Sequence, residues 1–194
     1  AAPLYVMIPI SGIVCGLLGL GMGYLTLRLR GVFFAIATLA MAVVLETLIT
    51  NWEYVGGASG AYVLRPREIA PFGDYIEYLF FVMLLLAIFA VAVARWVERS
   101  KVGRGFCAIR DDELAAECAG VPTLRLKLLA TTISGFLMGV AGAPFALYVS
   151  FVEPASAFNL NYAVNAIAMP MIGGATTWLG PLVGALVLGS AQQV

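Results

Sequence analysis

Residues 95–127 read RWVERSKVGRGFCAIRDDELAAECAGVPTLRLK, the one long polar island in a chain that is otherwise nearly all apolar. The island holds seven of the eleven basic residues and five of the eleven acidic ones. Apolar runs of membrane length flank it, at roughly 76–97 and 126–150. A segment this charged between two such runs lies in water, and its basic excess places it on the cytoplasmic side. Within it, Asp111, Asp112 and Glu113 open a short helical segment, where acidic groups suit the positive end of the helix dipole and either Asp can cap. Leu114, Ala115 and Cys118 give that helix a small apolar face, Gly120 fits its C-terminus and Pro122 stops it. Thr123 is placed to cap the next helix, and Lys127 to neutralise a helix end or a lipid phosphate. The expectation is a helix of two or three turns along the membrane surface. It is either a plain solvated connection or a docking helix for a cytoplasmic partner. A pure linker needs neither the apolar face nor the acidic start and glycine stop.

Composition sets the class. Of 194 residues, 62% are hydrophobic and 11% charged, against about 25% charged in soluble domains. No ordinary soluble core hides this much apolar surface, so the chain is an integral membrane protein. At about 1.5 Å rise per residue, about 20 apolar residues cross the hydrocarbon core. Runs at roughly 4–27, 31–50, 76–97 and 126–150 qualify. A fifth apolar region at 163–194 is interrupted by Pro170, Gly173, Gly174, Gly180 and Pro181, and reads as a half-helix, a break and a second, shorter helix. The expected fold is an all-α polytopic transmembrane helix bundle of about five or six spans, occupying 1–194 with a cytoplasmic loop at 98–125. The chain opens without Met and stops in an apolar run, so further helices beyond it are expected.

With 95–127 inside, the 51–75 loop lies outside and the Arg28/Arg30 junction inside, giving nine basic residues inside against two outside, Arg65 and Arg67. The junction is short for a hairpin, so one of the first two runs is a candidate for a broken or tilted element. Trp52, Tyr54, Tyr75 and Tyr78 mark the outer ends of runs two and three, and Trp96 the inner end of run three. Glycine pairs four apart (Gly12/Gly16, Gly19/Gly23, Gly135/Gly139, Gly180/Gly184) read first as helix–helix contacts.

Several function classes are excluded. With no His in the chain, a His-based zinc site or a Ser–His–Asp triad is ruled out. Cys15, Cys107 and Cys118 lack metal or redox spacing and read as small apolar fillers. Net charge is zero and no basic patch interleaves with aromatics, which argues against nucleic acid. No GxxxxGK[ST] phosphate loop is present, so ATP is not hydrolysed on this chain. Catalytic residues, metal and cofactor are all expected to be absent.

Candidate path residues are few. Glu46 is an ionisable group near the outer end of its span, either functional or an interfacial carboxylate reaching water. Asn159, Asn161 and Asn165 either cap a helix or line a vestibule. Gly56, Gly57 and Gly60 give a flexible outer loop that either touches a binding protein or is a plain turn. Gly173, Gly174, Gly180 and Pro181 mark a helix break, a feature that lines the pathway in many transporters.

The run GRGFCAIRDDELAAECAGVPTLRLKLLA at 103–130 resembles the cytoplasmic loop of LivM-like permeases, the membrane subunits of ABC importers for branched-chain amino acids and related small solutes. LRLRGVFFAIATLAMA at 27–42 and Asn51-Trp52 followed by Gly56-Gly57 are similar to a segment and an outer loop of that family, and residues 134–158 and MIGGATTWLGPLVGA at 171–185 to its later helices and helix break, all in the family's order. Departures fall at Val43 and Glu46, where the family often has Glu and Arg, in the GGASGAYV outer loop, and at Pro170 in place of a plain apolar residue. The resemblance implies a permease subunit of a bacterial inner-membrane importer that forms half of the translocation path. Its implied partners are a second homologous permease, two cytoplasmic ATPase subunits that hold ATP and Mg, an extracytoplasmic solute-binding protein and the bilayer. It implies that the loop supplies the coupling helix, with Arg104, Arg110, Asp111, Asp112, Glu113, Glu117 and Gly120 at the ATPase and Arg110, Glu113 and Glu117 in contact with it. Glu46, Asn165, Gly173 and Gly174 would then line the path, and Gly56, Gly57 and Gly60 would face the binding protein. The spans carry little charge, which suits a small neutral or zwitterionic solute such as an amino acid, urea or an amide. The rival reading is a secondary transporter or channel, which needs ionisable groups deep in the bundle, and only the peripheral Glu46 offers one.

Overall fold

The computed structural model describes residues 4–27, 29, 32–63, 75–174 and 177–191. The basic residues Arg28, Arg30, Arg65 and Arg67 that support the orientation lie outside the described residues.

The chain forms an all-α bundle. Its helices are α1 (Leu4–Thr26), α2 (Val32–Thr50), α3 (Tyr75–Arg99), α4 (Lys101–Asp111), α5 (Glu113–Cys118), α6 (Thr123–Val149), α7 (Pro154–Ala157), α8 (Leu160–Gly173) and α9 (Gly180–Ala191). Among the described residues, α1, α3 and α6 are long and apolar enough to cross a membrane. α2 is apolar along its 19 residues, about 28 Å at helical rise. The first two runs are therefore both unbroken helices, and the short 27–31 junction joins them.

Glycine positions the core. α1 and α6 run antiparallel in close contact, and a Cβ on Gly139 would sit 2.5 Å from the Ser11 carbonyl oxygen and 2.6 Å from the Cys15 Cβ. A Cβ on Gly135 would come 2.7 Å from the Cys15 oxygen, and one on Gly19 2.8 Å from the Thr131 oxygen. Only a missing side chain allows backbones this close, which is how membrane helices associate when lipid is as apolar as Leu. The Ser11 hydroxyl donates across the seam to the Gly139 carbonyl at 2.9 Å. Few side chains are buried (Leu79, Val140, Leu147 and Pro144 among them), while Phe80, Leu84 and Ile88 of α3 are open along one face. That distribution suits a bundle whose outer solvent is hydrocarbon.

The 163–194 region is a hairpin of two short helices. α8 has 14 residues and α9 has 12, about 21 and 18 Å, each short of a roughly 30 Å core. They pack antiparallel through glycine: a Cβ on Gly173 would meet the Gly180 carbonyl, and one on Gly184 the Met169 carbonyl. The break falls at Gly174, whose φ of 100° ends α8. Pro170 does not break the chain; it lies inside α8.

On the outer side, β1 (Ala61–Tyr62) pairs antiparallel with β2 (Phe151–Val152). Two 3-10 turns precede β1, with Gly56, Gly57 and Gly60 at φ of 106°, 52° and 69°. The glycines of this loop shape a double turn, because the left-handed region is open to them at little steric cost.

Candidate functional site

The polar island folds as two helices. Only the second was expected; α4 was missed, although Val102, Phe106 and Ile109 recur at i, i+4, i+7 behind Ser100, an amphipathic start signal legible in the sequence. α3 turns into α4 across the single residue Ser100, whose side chain accepts from the Gly103 N–H at 3.3 Å and donates to the Val97 carbonyl at 2.7 Å. A Cβ on Gly103 would collide with the Val97 and Glu98 carbonyls. The corner is therefore tight and requires glycine.

Asp112 ends α4 and caps α5, accepting from Leu114 N–H at 2.9 Å and Ala115 N–H at 3.1 Å. At the far end Gly120 takes φ of 83°. Its N–H bonds the Glu117 carbonyl, and the Val121 N–H bonds the Ala116 carbonyl, both at 2.9 Å, a Schellman stop. Gly120→Ala keeps the length but forces a Cβ into left-handed backbone, costing about 1–2 kcal/mol. Amide exchange of residues 113–119 in the full protein should accelerate about tenfold or more, and Gly120→Asn should do less harm.

Three contacts fasten this pair to the start of α6. Lys127 Nζ pairs with Glu113 Oε1 at 2.6 Å, both side chains about two-thirds buried. The Thr123 hydroxyl donates to Glu117 Oε1 at 2.7 Å. Leu126 covers Gly105, where a Cβ would come 2.6 Å from its Cδ1. Lys127 thus holds Glu113 at the start of α5. Thr123 is the first residue of α6 and makes no capping bond to it. Glu113 and Glu117, expected at the ATPase, also tie α5 to α6, Glu117 while remaining exposed. Lys127→Met should loosen α5 by about 1 kcal/mol, and Glu113→Gln combined with it should add little more, a coupling readable in a double-mutant cycle of thermal stability.

What remains open to water is specific. Arg110 and Asp111 are exposed and pair with each other at 3.0 Å, their side chains 58% and 69% accessible; such a pair contributes little and can re-pair with a partner. Arg104 and Cys107 are exposed on α4, and Leu114, Ala115 and Cys118 on α5. Cys107 and Cys118 are therefore surface groups and not fillers, while Cys15 lies in the α1–α6 seam. A capped platform that leaves Arg104, Arg110 and Leu114 exposed offers a surface for protein docking.

The path candidates lie on two helices, α2 and α8, and at the end of the second. Glu46 is half-buried one turn from the outer end of α2, its carbonyl accepting from the Thr50 hydroxyl at 2.8 Å. Asn159 caps α8, accepting from the Asn161 N–H at 3.0 Å, and Asn165 is half-buried one turn on. Gly173 and Gly174 lie at the other end of α8, about 12 Å from Asn165 at helical rise. The residues are strung through the membrane depth. An apolar groove of about 440 Å³ opens between α1, α3 and α6, lined by Leu17, Phe89, Val93, Trp96 and Phe136. The Thr132 hydroxyl in its wall donates back to the Leu128 carbonyl at 2.7 Å, which leaves the groove suited to hydrocarbon and not to a zwitterion.

The family model described as branched-chain amino acid transport system / permease component matches residues 1–194. The chain belongs to this permease family. It is 29% identical to the high-affinity branched-chain amino acid transport system permease protein LivM of Escherichia coli (strain K12), over 96% of this chain and 50% of that protein. It is 31% identical to the autoinducer 2 import system permease protein LsrC of Enterobacter sp. (strain 638), over 57% of this chain and 34% of that one. The ribose import permease protein RbsC of Haemophilus influenzae is 28% identical over 56% of this chain and 34% of its own length. The chain spans about half the length, or less, of these curated relatives. No solved structure matches it.

Proposed function

We propose that this chain is the membrane-spanning part of a permease subunit in an ATP-driven importer of branched-chain amino acids or related small solutes, seated in a bacterial inner membrane. The observation that carries the reading is the α4–α5 platform: capped at both ends, fastened to α3 and α6, and left with Arg110, Leu114 and Cys118 uncovered. A second homologous permease completes the pathway. Two ATPase subunits dock on the platforms and hold ATP and Mg, so this chain itself is not catalytic. A solute-binding protein delivers cargo to the outer face, where the 56–62 double turn and β2 form the ordered surface. LivM is named for branched-chain amino acids, whereas LsrC and RbsC are named for autoinducer 2 and ribose. The low charge of the helices and the greater coverage by LivM favour a small zwitterion.

Affinity purification of the full-length protein, expressed with the ATPase and permease encoded beside it, tests the assembly. Recovery of two ATPase copies and a second permease supports it. A chain that purifies alone and moves solute in liposomes without ATP belongs to a secondary carrier.

A further inference from the structure

The residues that lead into α9 reach the polar end of α3. Tyr162, near the start of α8, packs edge-on against Phe145 near the outer end of α6, with ring centroids 6.0 Å apart. Trp178, in the turn that opens α9, lies beneath Arg95, with the guanidinium carbon 4.8 Å from the ring centroid. The hairpin therefore enters from the outer side and turns near the inner one. Arg95 is on the last full turn of α3, four residues before its end at Arg99, about 6 Å along the axis. An Arg at this depth ordinarily extends to lipid phosphate or water. Arg95 instead lies over an indole, where the ring quadrupole attracts the cation, and both residues are half-buried.

Both ends of this contact are fixed. On one side, Ser100 and Gly103 join the last turn of α3 to α4 in a corner that leaves no slack. On the other, the Gly180 N–H bonds the Thr177 carbonyl at 3.1 Å and the Val183 N–H bonds the Leu179 carbonyl at 3.0 Å, so Trp178 moves with α9. Gly180 in turn sits against Gly173 and Gly174 at the break. Platform, α3, Arg95, Trp178 and helix break form one continuous mechanical chain.

We propose that Arg95 is a positioning residue that ties the start of α9 to the docking platform, so that platform movement shifts the contact of Gly180 with Gly173 and Gly174. This rests on the importer reading and specifies how the ATPase acts on the path. Arg95 touches no solute in this role; it acts through Trp178. The contact is charge-dependent and ring-dependent, so Lys and Phe at the two positions keep part of it, and Ala and Leu remove it.

The test uses the complete importer in proteoliposomes, with leucine uptake and ATP hydrolysis measured on the same preparation. Arg95→Ala and Trp178→Leu should each lower solute moved per ATP hydrolysed about tenfold, while hydrolysis and subunit assembly persist. Arg95→Lys and Trp178→Phe should retain most of the ratio, and Arg95→Ala with Trp178→Leu should be no worse than either alone. Unchanged ratios, or losses that multiply in the double variant, overturn the proposal. Independently, Arg95→Cys with Trp178→Cys in a background freed of Cys15, Cys107 and Cys118 should join through a short bifunctional thiol reagent in native membranes. Failure to join overturns the latch. If instead the pair joins but the wild type shows no ATP-dependent uptake, the importer reading fails while the contact stands.

Discussion

In the proposed importer, Arg110→Glu combined with Leu114→Asp is expected to release the ATPase from the membrane subunit, with a loss of affinity of about 100-fold or more. Leu114 is 60% exposed on α5, and Arg110 sits a few residues before it in an exposed pair with Asp111. Neither side chain supports the platform: that role falls to Glu113 with Lys127, Glu117 with Thr123 and Leu126 with Gly105. The double variant therefore folds, and its effect reads on docking alone. Arginine is enriched at interface hot spots, where single truncations cost about 2 kcal/mol or more, and Leu114 adds open apolar area four positions on. Burying a new aspartate and reversing a charge exceeds about 2.7 kcal/mol, the equivalent of 100-fold. Titration of detergent-solubilised permease with purified ATPase checks it. Retained affinity would place the dock elsewhere.

Gly139→Val prevents the bundle from assembling, while Gly142→Val, three residues along the same helix, leaves it intact. A Cβ at 139 meets the Ser11 carbonyl oxygen at 2.5 Å and the Cys15 Cβ at 2.6 Å, and one at 142 meets nothing within 4 Å. Overfilling a packed site costs about 1–3 kcal/mol when side chains can shift. Here backbone must move, the Ser11–Gly139 hydrogen bond is lost, and the neighbouring contacts at Gly12 and Gly135 open with it. About 3 kcal/mol or more is expected, a large share of a typical total stability. At 142 the change should stay within about 0.5 kcal/mol. Thermal unfolding followed by circular dichroism in mild detergent separates the two. Equal effects would show that the α1–α6 seam is not the core.

The helical spans were legible because membrane helices announce themselves by length and hydropathy: α1, α3 and α6 fall within a few residues of the runs read from the sequence. The four glycine pairs were legible for a related reason, since small residues four apart have one dominant use in lipid. The α5 caps were also readable, because Asp112 and Gly120 act on backbone next to them. What escaped was long-range or hidden by charge. α4 was obscured because Arg104 and Arg110 outweigh Val102, Phe106 and Ile109 in a hydropathy scan. The Glu113–Lys127 and Glu117–Thr123 contacts depend on how the chain turns at Pro122, which no local pattern encodes. The sequence marked Glu113 and Glu117 of α5 for partner contact, and both of these side chains also bond α6. The Arg95–Trp178 contact joins residues more than eighty positions apart and carries no periodic signature. The path remained thin in the sequence because solute sites in such bundles are built from backbone at helix breaks, and glycine marks a break without marking its use.

Uptake of radiolabelled leucine into proteoliposomes holding the assembled importer, with and without ATP at the platform side, is the most direct measurement. ATP-driven import through a docked platform predicts uptake that requires ATP and disappears in Arg110→Glu with Leu114→Asp. Equal uptake without ATP, sustained by an ion gradient and indifferent to the platform variant, would contradict it.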